Sequence, residues 1–313
     1  MKSQGLRMDY NTKVTITSSL LGVLTLTAVL GSVFSGQSVV QRASQEALMT
    51  GMGSAQVGSI SLPGGILLDK AKGRPWTLTV QGHPYPASSE RIEGFLTTAF
   101  ELKRERLVGH SVTLADYGLD KPKLVTFKDS TGKTLTEVRA GSADSTGTKV
   151  YVQVGSAPEV WETDRGLLRG LDTDFNTWAD LTLVPGKKAS DLTRITYTGS
   201  LETSDKTQYT SFDLVKGGTP DKPTWENQLN KSAAKADNWL NQLANFRFGA
   251  YFGPQETTPV DGSGGKLVLS WGDNSKTEVT FGAKDAQNRI PASDGQRQFW
   301  INDWALSQLL YMP

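Results

Sequence analysis

The chain carries one pattern twice, and its clearest copies are VWETDRGLL at residues 160–168 and FWINDWALS at residues 299–307. In each copy a tryptophan in a short apolar, strand-like run is followed three residues later by an aspartate. That aspartate is placed to cap a turn of helix whose apolar residues face inward. Three pairs of residues are separated by the same 139 positions: Trp161 and Trp300, Asp164 and Asp303, and Leu167 and Leu306.

Further landmarks repeat in the same order on the N-terminal side of these copies. The separation between paired landmarks changes slowly along the chain, as expected when the two copies have loops of different length. Chance does not align six landmarks in order. We therefore predict two tandem homologous α+β modules, each an antiparallel sheet with a helix packed on one face, the helices at residues 89–108 and 233–246. The additional pairs are Trp76 and Trp225 (149 apart), Leu124 and Leu267 (143 apart), and Gly141 and Gly282 (141 apart).

The N-terminal region contains an uncharged run at residues 14–34. As a helix this run is long enough to cross a hydrocarbon core of about 30 Å. Lys2, Arg7 and Lys13 precede it, against the single acid Asp9. By the positive-inside rule this excess of bases places the N-terminus in the cytoplasm.

We predict a single-pass protein of the inner membrane with the bulk of the chain in the periplasm. A cleaved signal peptide is the alternative, because Val33 and Ser35 are small enough to flank a cleavage site. The predicted segments are a cytoplasmic tail at 1–13, a transmembrane helix at 14–34, a stalk at 35–59, a first module at 60–180, a hinge at 181–190 and a second module at 191–313.

Composition excludes several classes of function. The chain has 33 Lys+Arg against 32 Asp+Glu, a balance that argues against a nucleic-acid partner. It has no cysteine, which excludes disulfides, thiolate zinc sites and cysteine nucleophiles. With only two histidines and no recognisable catalytic constellation, we expect no catalytic residue, no metal and no cofactor.

One weak metal motif begins at Asp172, where Asp174 and Asn176 follow at the spacing of a calcium-binding loop. Such a loop needs glycine at its sixth position and a bidentate glutamate at its twelfth. Thr177 and Leu183 stand there instead. We therefore expect a capped polar connection at this place.

The turn at residues 117–122 reads Tyr-Gly-Leu-Asp-Lys-Pro. With Trp76-Thr77-Leu78 and Tyr85-Pro86-Ala87, it makes roughly residues 60–310 resemble a bacterial domain family of unknown function. The resemblance implies a membrane-anchored extracytoplasmic protein, often encoded beside ABC transporters of the gliding-motility type. It implies no catalytic residues. The second module departs from the family pattern, because Gly249-Ala-Tyr-Phe-Gly-Pro254 stands where the tyrosine turn would be.

The same turn is a candidate docking site, because the first module has it and the second lacks it. We name Tyr117, Asp120 and Lys121 as the residues that would contact a partner protein, since a few aromatic and charged anchors usually dominate an interface. The alternative is a structural turn in which Tyr117 and Leu119 fill the core of their own module.

Tryptophans form the second set of candidates. Those that recur in the repeat are expected to be core anchors, namely Trp76 with Trp225 and Trp161 with Trp300. Those without a counterpart are expected to be exposed and available to a ligand, namely Trp178, Trp271 and Trp304.

These observations lead us to expect a non-enzymatic, membrane-anchored extracytoplasmic scaffold or accessory subunit of an envelope assembly. The resemblance makes an assembly linked to an ABC transporter the first choice. The partners would be the membrane, through one N-terminal helix, and an envelope protein, with neither nucleic acid nor a small-molecule ligand. A protein that binds peptidoglycan or an exported polysaccharide is the alternative, and an envelope hydrolase with unfamiliar residues is a third.

Overall fold

The computed structural model describes residues 46–71, 73–110, 112–171, 174–219 and 222–312. These residues are mostly β-structure, arranged as two antiparallel sheets of nine strands each, with few and short helices. The predicted sheets are present, but the helices contribute less than the predicted α+β class implies.

The predicted tail at 1–13, the predicted transmembrane helix at 14–34 and the stalk up to residue 45 lie outside the described residues. Among the residues that are described, none of the helices combines the length and the apolar character needed to span a bilayer.

The first sheet has the strand order β4-β3-β2-β1-β6-β7-β8-β9-β5. Helix α1 (Ser89–Glu101) follows β4, and the short helix α2 (Gly166–Arg169) follows β9. The strands are β1 (Ser59–Leu62), β2 (Ile66–Asp69), β3 (Thr77–Val80), β4 (His83–Pro86), β5 (Arg106–Gly109), β6 (Lys123–Lys128), β7 (Thr134–Ala143), β8 (Lys149–Val154) and β9 (Val160–Asp164).

The second sheet has the strand order β13-β12-β11-β10-β15-β16-β17-β18-β14. Helix α3 (Asp237–Ala244) follows β13, and helix α4 (Leu306–Leu309) follows β18. The strands are β10 (Leu192–Glu202), β11 (Gln208–Thr219), β12 (Lys222–Asn227), β13 (Ser232–Ala233), β14 (Ala250–Tyr251), β15 (Gly265–Trp271), β16 (Lys276–Phe281), β17 (Arg289–Ser293) and β18 (Gln298–Asn302).

Both sheets follow one topology. Counted along the chain within each sheet, the strands stand in the order fourth, third, second, first, sixth, seventh, eighth, ninth, fifth. The register repeats as well: Trp161 lies opposite Val152, and Trp300 lies opposite Pro291, which is again 139 residues further on. This shared strand order is what the internal repeat predicts.

The tryptophans that recur in the repeat are core residues, as predicted. None of Trp76, Trp161, Trp225 and Trp300 is more than 8% exposed. Each buries a large apolar ring, and rings of this size dominate the energetics of a core.

The chain forms two compact units. The first contains the described residues of Met1–Arg74 and Ile92–Thr173, and the second those of Pro75–Arg91 and Asp174–Pro313. Residues 75–91, predicted in the first module, thus belong to the second unit, as does the predicted hinge at 181–190. In that segment Leu183 and Val184 are buried, and the Leu183 N–H donates to the Phe246 carbonyl over 3.0 Å.

From residue 46 onward the predicted stalk is part of the first unit rather than an extended connection. Leu48 and Met49 are buried, and the Leu48 N–H donates to the Leu102 carbonyl over 2.6 Å. Ala47 forms an isolated β-bridge with Lys103. Leu48 and Met49 thus pack into the core of the unit, where burial removes their apolar surface from water.

Both predicted module helices are shorter in the structure. The first ends at Glu101, and Arg106–Gly109 forms the edge strand β5, in which Leu107 pairs with Trp161. In the second, Ala233 belongs to a strand and the helix begins at Asp237. Pairing with an existing sheet edge gives the backbone N–H and C=O groups of β5 hydrogen-bond partners. This tertiary contact overrides the local helical pattern.

Two glycines of the first unit should respond oppositely to alanine. Gly94 lies inside α1 with open space at its Cβ position, so Gly94→Ala should raise the free energy of unfolding by about 0.5–1 kcal/mol. At Gly141 a Cβ would clash with the Tyr117 carbonyl oxygen, so Gly141→Ala should lower that free energy by about 1–3 kcal/mol. Chemical denaturation of the full chain measures both changes, and a neutral Gly141→Ala would contradict the close packing of this turn.

Candidate functional site

The second unit contains a cavity of about 660 Å³, a volume in the range of roughly 300–1,000 Å³ that is typical of ligand sites. Three segments line it: the turn between β10 and β11, one face of α3 with the residues just before it, and the C-terminal stretch that starts at Asp303. We call this cavity the aromatic groove. Its lining includes Tyr209, Trp239, Trp304 and Tyr311.

A buried carboxylate fixes the first wall of the groove. Asp303 is buried, and its Oδ2 accepts a hydrogen bond of 2.6 Å from the backbone N–H of Ser204, at the tip of the β10–β11 hairpin. The Lys284 ammonium lies 3.6 Å from the same oxygen. Burial opposes ionisation of Asp303, but the hydrogen bonds from Ser204 and the charge of Lys284 outweigh it and hold the pKa below its ordinary value.

The hairpin tip is closed by its own polar groups. The Thr203 N–H donates to the Thr207 carbonyl over 3.0 Å, and Lys206 takes a left-handed conformation with φ of 70°. The Thr203 hydroxyl donates to the Asp205 carboxylate, which also accepts the Thr207 N–H. These hydrogen bonds lower the pKa of Asp205, and the one from the Thr203 side chain has the largest effect.

The second wall is a polar stripe along the start of α3. Asn238 and Gln242 are four residues apart and therefore lie on one side of α3, and Lys235 lies just before the helix; all three line the groove. In the part of the chain that the structure describes, the side-chain polar groups of these three residues have no hydrogen-bond or ion-pair partner. We call them the α3 stripe. Their amide and ammonium groups are therefore available to a ligand.

The third wall is aromatic. Trp239 and Tyr311 meet edge to face with ring centroids 5.4 Å apart, and Phe212 supports both rings from distances of 6.1 and 6.0 Å. The Trp239 indole Nε1 is buried and has no hydrogen-bond acceptor among the described residues. A buried donor left without an acceptor costs about 1–3 kcal/mol, so this wall is not optimised for stability alone.

Trp304 completes the groove as a solvent-facing ring. It follows Asp303 directly, and its side chain is 68% exposed while Ala305 and Leu306 point inward. Folding does not require so exposed an aromatic ring in the same groove as side-chain amides that have no hydrogen-bond partner.

The expectation of exposure was wrong for the other two tryptophans that have no counterpart in the repeat. Trp178 and Trp271 are each only 2% exposed. Trp271 ends the inward face of β15, two positions after Leu269, so the alternation of the strand buries it. Trp178 lies in the connection where Ala87 and Ala179 form a β-bridge, and its carbonyl accepts the Ser88 N–H.

The predicted docking residues lie in the first unit. The Tyr117 ring packs edge to face on Tyr151, with centroids 4.8 Å apart, and Leu119 is buried. Asp120 and Lys121 are exposed. The turn therefore places its apolar side chains against its own unit and presents its two charges to solvent.

The calcium-like segment forms local turn contacts. Asp174 accepts the Asn176 N–H over 2.9 Å, and the Asn176 side-chain oxygen accepts the Tyr251 N–H over 2.7 Å. Asp172 lies outside the described residues. Over the ranges that the structure covers, acidic residues and histidines form no group able to hold a metal ion.

Sequence reasoning missed the α3 stripe. It predicts a helix at residues 233–246 and gives no role to the polar residues on it. The available signal was the spacing of Lys235, Asn238 and Gln242 on one helical face that also carries a tryptophan. The hairpin tip left no comparable signal, because only tertiary folding brings Ser204 to Asp303.

Comparison with protein families identifies a domain of unknown function. The family model described as "Domain of unknown function (DUF4340)" matches residues 76–262, more than half of the chain. No curated protein and no solved structure matches the chain.

Asp303→Asn should destabilise the second unit in a pH-dependent way. At pH 7 we expect a loss of about 1.5–3 kcal/mol, the usual contribution of a hydrogen bond to a charged group. Because the folded-state pKa lies below the ordinary carboxyl value, the stabilisation is present above that value and is lost as pH falls through the folded-state pKa. Denaturant titrations of both proteins from pH 7 to pH 2 should therefore converge in acid, and a gap that stays constant with pH would contradict the role of the charge.

Proposed function

The chain belongs to the DUF4340 family, and from that premise we propose that it is a non-enzymatic, membrane-anchored accessory protein of the cell envelope whose second unit binds a glycan. The observation that carries the proposal is the pairing of an exposed ring, Trp304, with the unpaired polar groups of the α3 stripe in one groove.

The chemistry of a sugar ring fits these two walls. A pyranose has a flat C–H face, which packs against an aromatic ring, and a rim of hydroxyl groups, which exchange hydrogen bonds with side-chain amides. Trp304 and Tyr311 offer the first kind of surface, and Asn238 and Gln242 offer the second. Ligand sites commonly combine aromatic walls with a few convergent polar groups.

Two properties of the groove support binding without catalysis. The pKa values of Asp205 and Asp303 are lowered, so both carboxyls are ionised at neutral pH and have no proton to donate. Both are also occupied by hydrogen bonds from the hairpin tip. A general acid for glycoside cleavage needs the opposite, a raised pKa and an unoccupied carboxyl.

Location in the envelope is supported by the N-terminal sequence. Residues 14–34 form the uncharged run, preceded by more bases than acids. On this basis the chain is an inner-membrane protein with a cytoplasmic N-terminus, and both units lie in the periplasm. A glycan ligand there would be peptidoglycan or an exported polysaccharide.

A second candidate function, docking of an envelope protein, is supported by the first unit. Asp120 and Lys121 are exposed on a turn held rigidly by the packing of Tyr117, and the neighbouring Leu114 and Leu124 are also exposed. A mixed apolar and charged surface of this kind fits a protein partner. A component of a gliding-motility type ABC transporter is the partner class that the motif suggests.

Removal of the exposed indole should weaken glycan binding without changing stability. For Trp304→Ala in the full chain we expect the Kd for envelope glycan to rise about tenfold, equivalent to about 1.4 kcal/mol. Co-sedimentation of the detergent-purified protein with insoluble peptidoglycan and with exported polysaccharide measures this affinity.

Leu229→Ala is the matched control for this test. Leu229 is 63% exposed, similar to Trp304, but it lies outside the lining of the groove. It should leave binding unchanged. If both variants bind like the unmodified chain, or if the unmodified chain sediments with neither glycan, glycan binding by this groove is excluded.

Charge removal from the exposed turn tests the docking surface. We expect Asp120→Ala with Lys121→Ala to reduce co-purification of protein partners from solubilised membranes and to leave the unfolding temperature unchanged. Lys222→Ala with Glu226→Ala removes the same two charges from an exposed strand of the second unit and should retain the partners. Equal recovery with both double variants would argue against docking at the turn.

A further inference from the structure

A second cavity adjoins the aromatic groove. It has a volume of about 460 Å³ and is lined by residues of β12 and β13 together with the start of α3. Lys235 and Asn238 line both cavities. These two side chains therefore mark a junction, and the two cavities follow one another along the start of α3.

Resting on the proposed glycan function, we propose that the site takes an uncharged stretch of a linear glycan chain, which runs through both cavities, rather than a single terminal sugar. Each cavity alone falls within the size range of sites that enclose one small ligand. Two adjoining cavities accommodate a longer molecule than either does.

Exposure along the path supports a ligand that continues beyond the site. Trp304 at one end is exposed, Lys235 and Asn238 at the junction are exposed, and Pro223 and Thr224 at the other end are exposed as well. A polymer enters and leaves such a groove without burying its ends. A pocket for a terminal sugar would instead be closed on one side.

The charges around the path favour an uncharged ligand. Asp205 and Asp303 line the first cavity, Asp237 lines the second, and Lys235 is the cation shared by both. Lys284 offsets Asp303 from a distance of 3.6 Å. The remaining carboxylates would repel a chain that carries a carboxylate on every sugar.

The experiment compares oligosaccharides of different length and charge on the full chain in detergent, by isothermal titration calorimetry. The probes are the dimer and the hexamer of β-1,4-linked N-acetylglucosamine and a galacturonate hexamer. We expect the neutral hexamer to bind at least about tenfold more tightly than the dimer, because it contacts both cavities. We expect the acidic hexamer to bind more weakly than the neutral one.

Two neighbouring positions on β13 provide a matched pair of variants. Ala233 lines the second cavity and is exposed, so Ala233→Trp should fill that cavity and remove the advantage of the hexamer while leaving the dimer unaffected. Ser232 is the preceding residue of the strand and points to the opposite face, so Ser232→Trp should retain the advantage.

The outcomes separate this inference from the proposed function. Equal affinities for dimer and hexamer would overturn the chain-spanning site and leave glycan binding intact. Tighter binding of the acidic hexamer would overturn the preference for an uncharged chain. If no oligosaccharide binds and Trp304→Ala has no effect on sedimentation with envelope glycans, both the inference and the proposed function fail.

Discussion

The groove of the second unit depends on one interaction of a buried carboxylate, the hydrogen bond that Asp303 accepts from the Ser204 backbone N–H. It ties the tip of the β10–β11 hairpin to the turn that follows β18. A buried carboxylate that keeps its charge needs such donors, and the hairpin supplies one where the sheet alone would not. The same contact sets the position of Trp304, the next residue along the chain. Stability and the candidate binding surface thus share one anchor.

The sequence was sufficient to predict the repeat but not the proportion of helix. Trp161 and Trp300, with the aspartates three residues later, mark equivalent strands because their spacing reflects a framework that both sheets use. The strands β5 and β14 escaped prediction, since each is short and forms only by pairing with an existing edge. Local periodicity carries no information about such pairing. The predicted helix through residue 108 was wrong for this reason.

The candidate site was only partly accessible from the sequence. We expected the tryptophans without a counterpart in the repeat to be exposed. Trp304 is exposed and lines the groove, but Trp178 and Trp271 are buried. The criterion failed at Trp271 because it ignored the alternation of β15, which places this ring beside the inward-facing leucines of the same strand. Combining the repeat with strand alternation would have excluded it. The contact between Ser204 and Asp303 joins residues 99 positions apart and had no local signature.

A difference in hairpin length between the two copies of the framework explains how the second copy forms the aromatic groove. In the first sheet β1 and β2 are joined by the short turn Pro63–Gly65, and Asp164 accepts the N–H of Gly166 within its own turn. In the second sheet the corresponding strands, β10 and β11, extend further, and their tip reaches the equivalent aspartate. The residue after the aspartate differs accordingly: Arg165 in one copy and Trp304 in the other. Lengthening one hairpin leaves the strand order untouched, because loops and strand ends tolerate insertion better than a sheet interior does. Two copies of one framework can therefore present different surfaces next to the same aspartate.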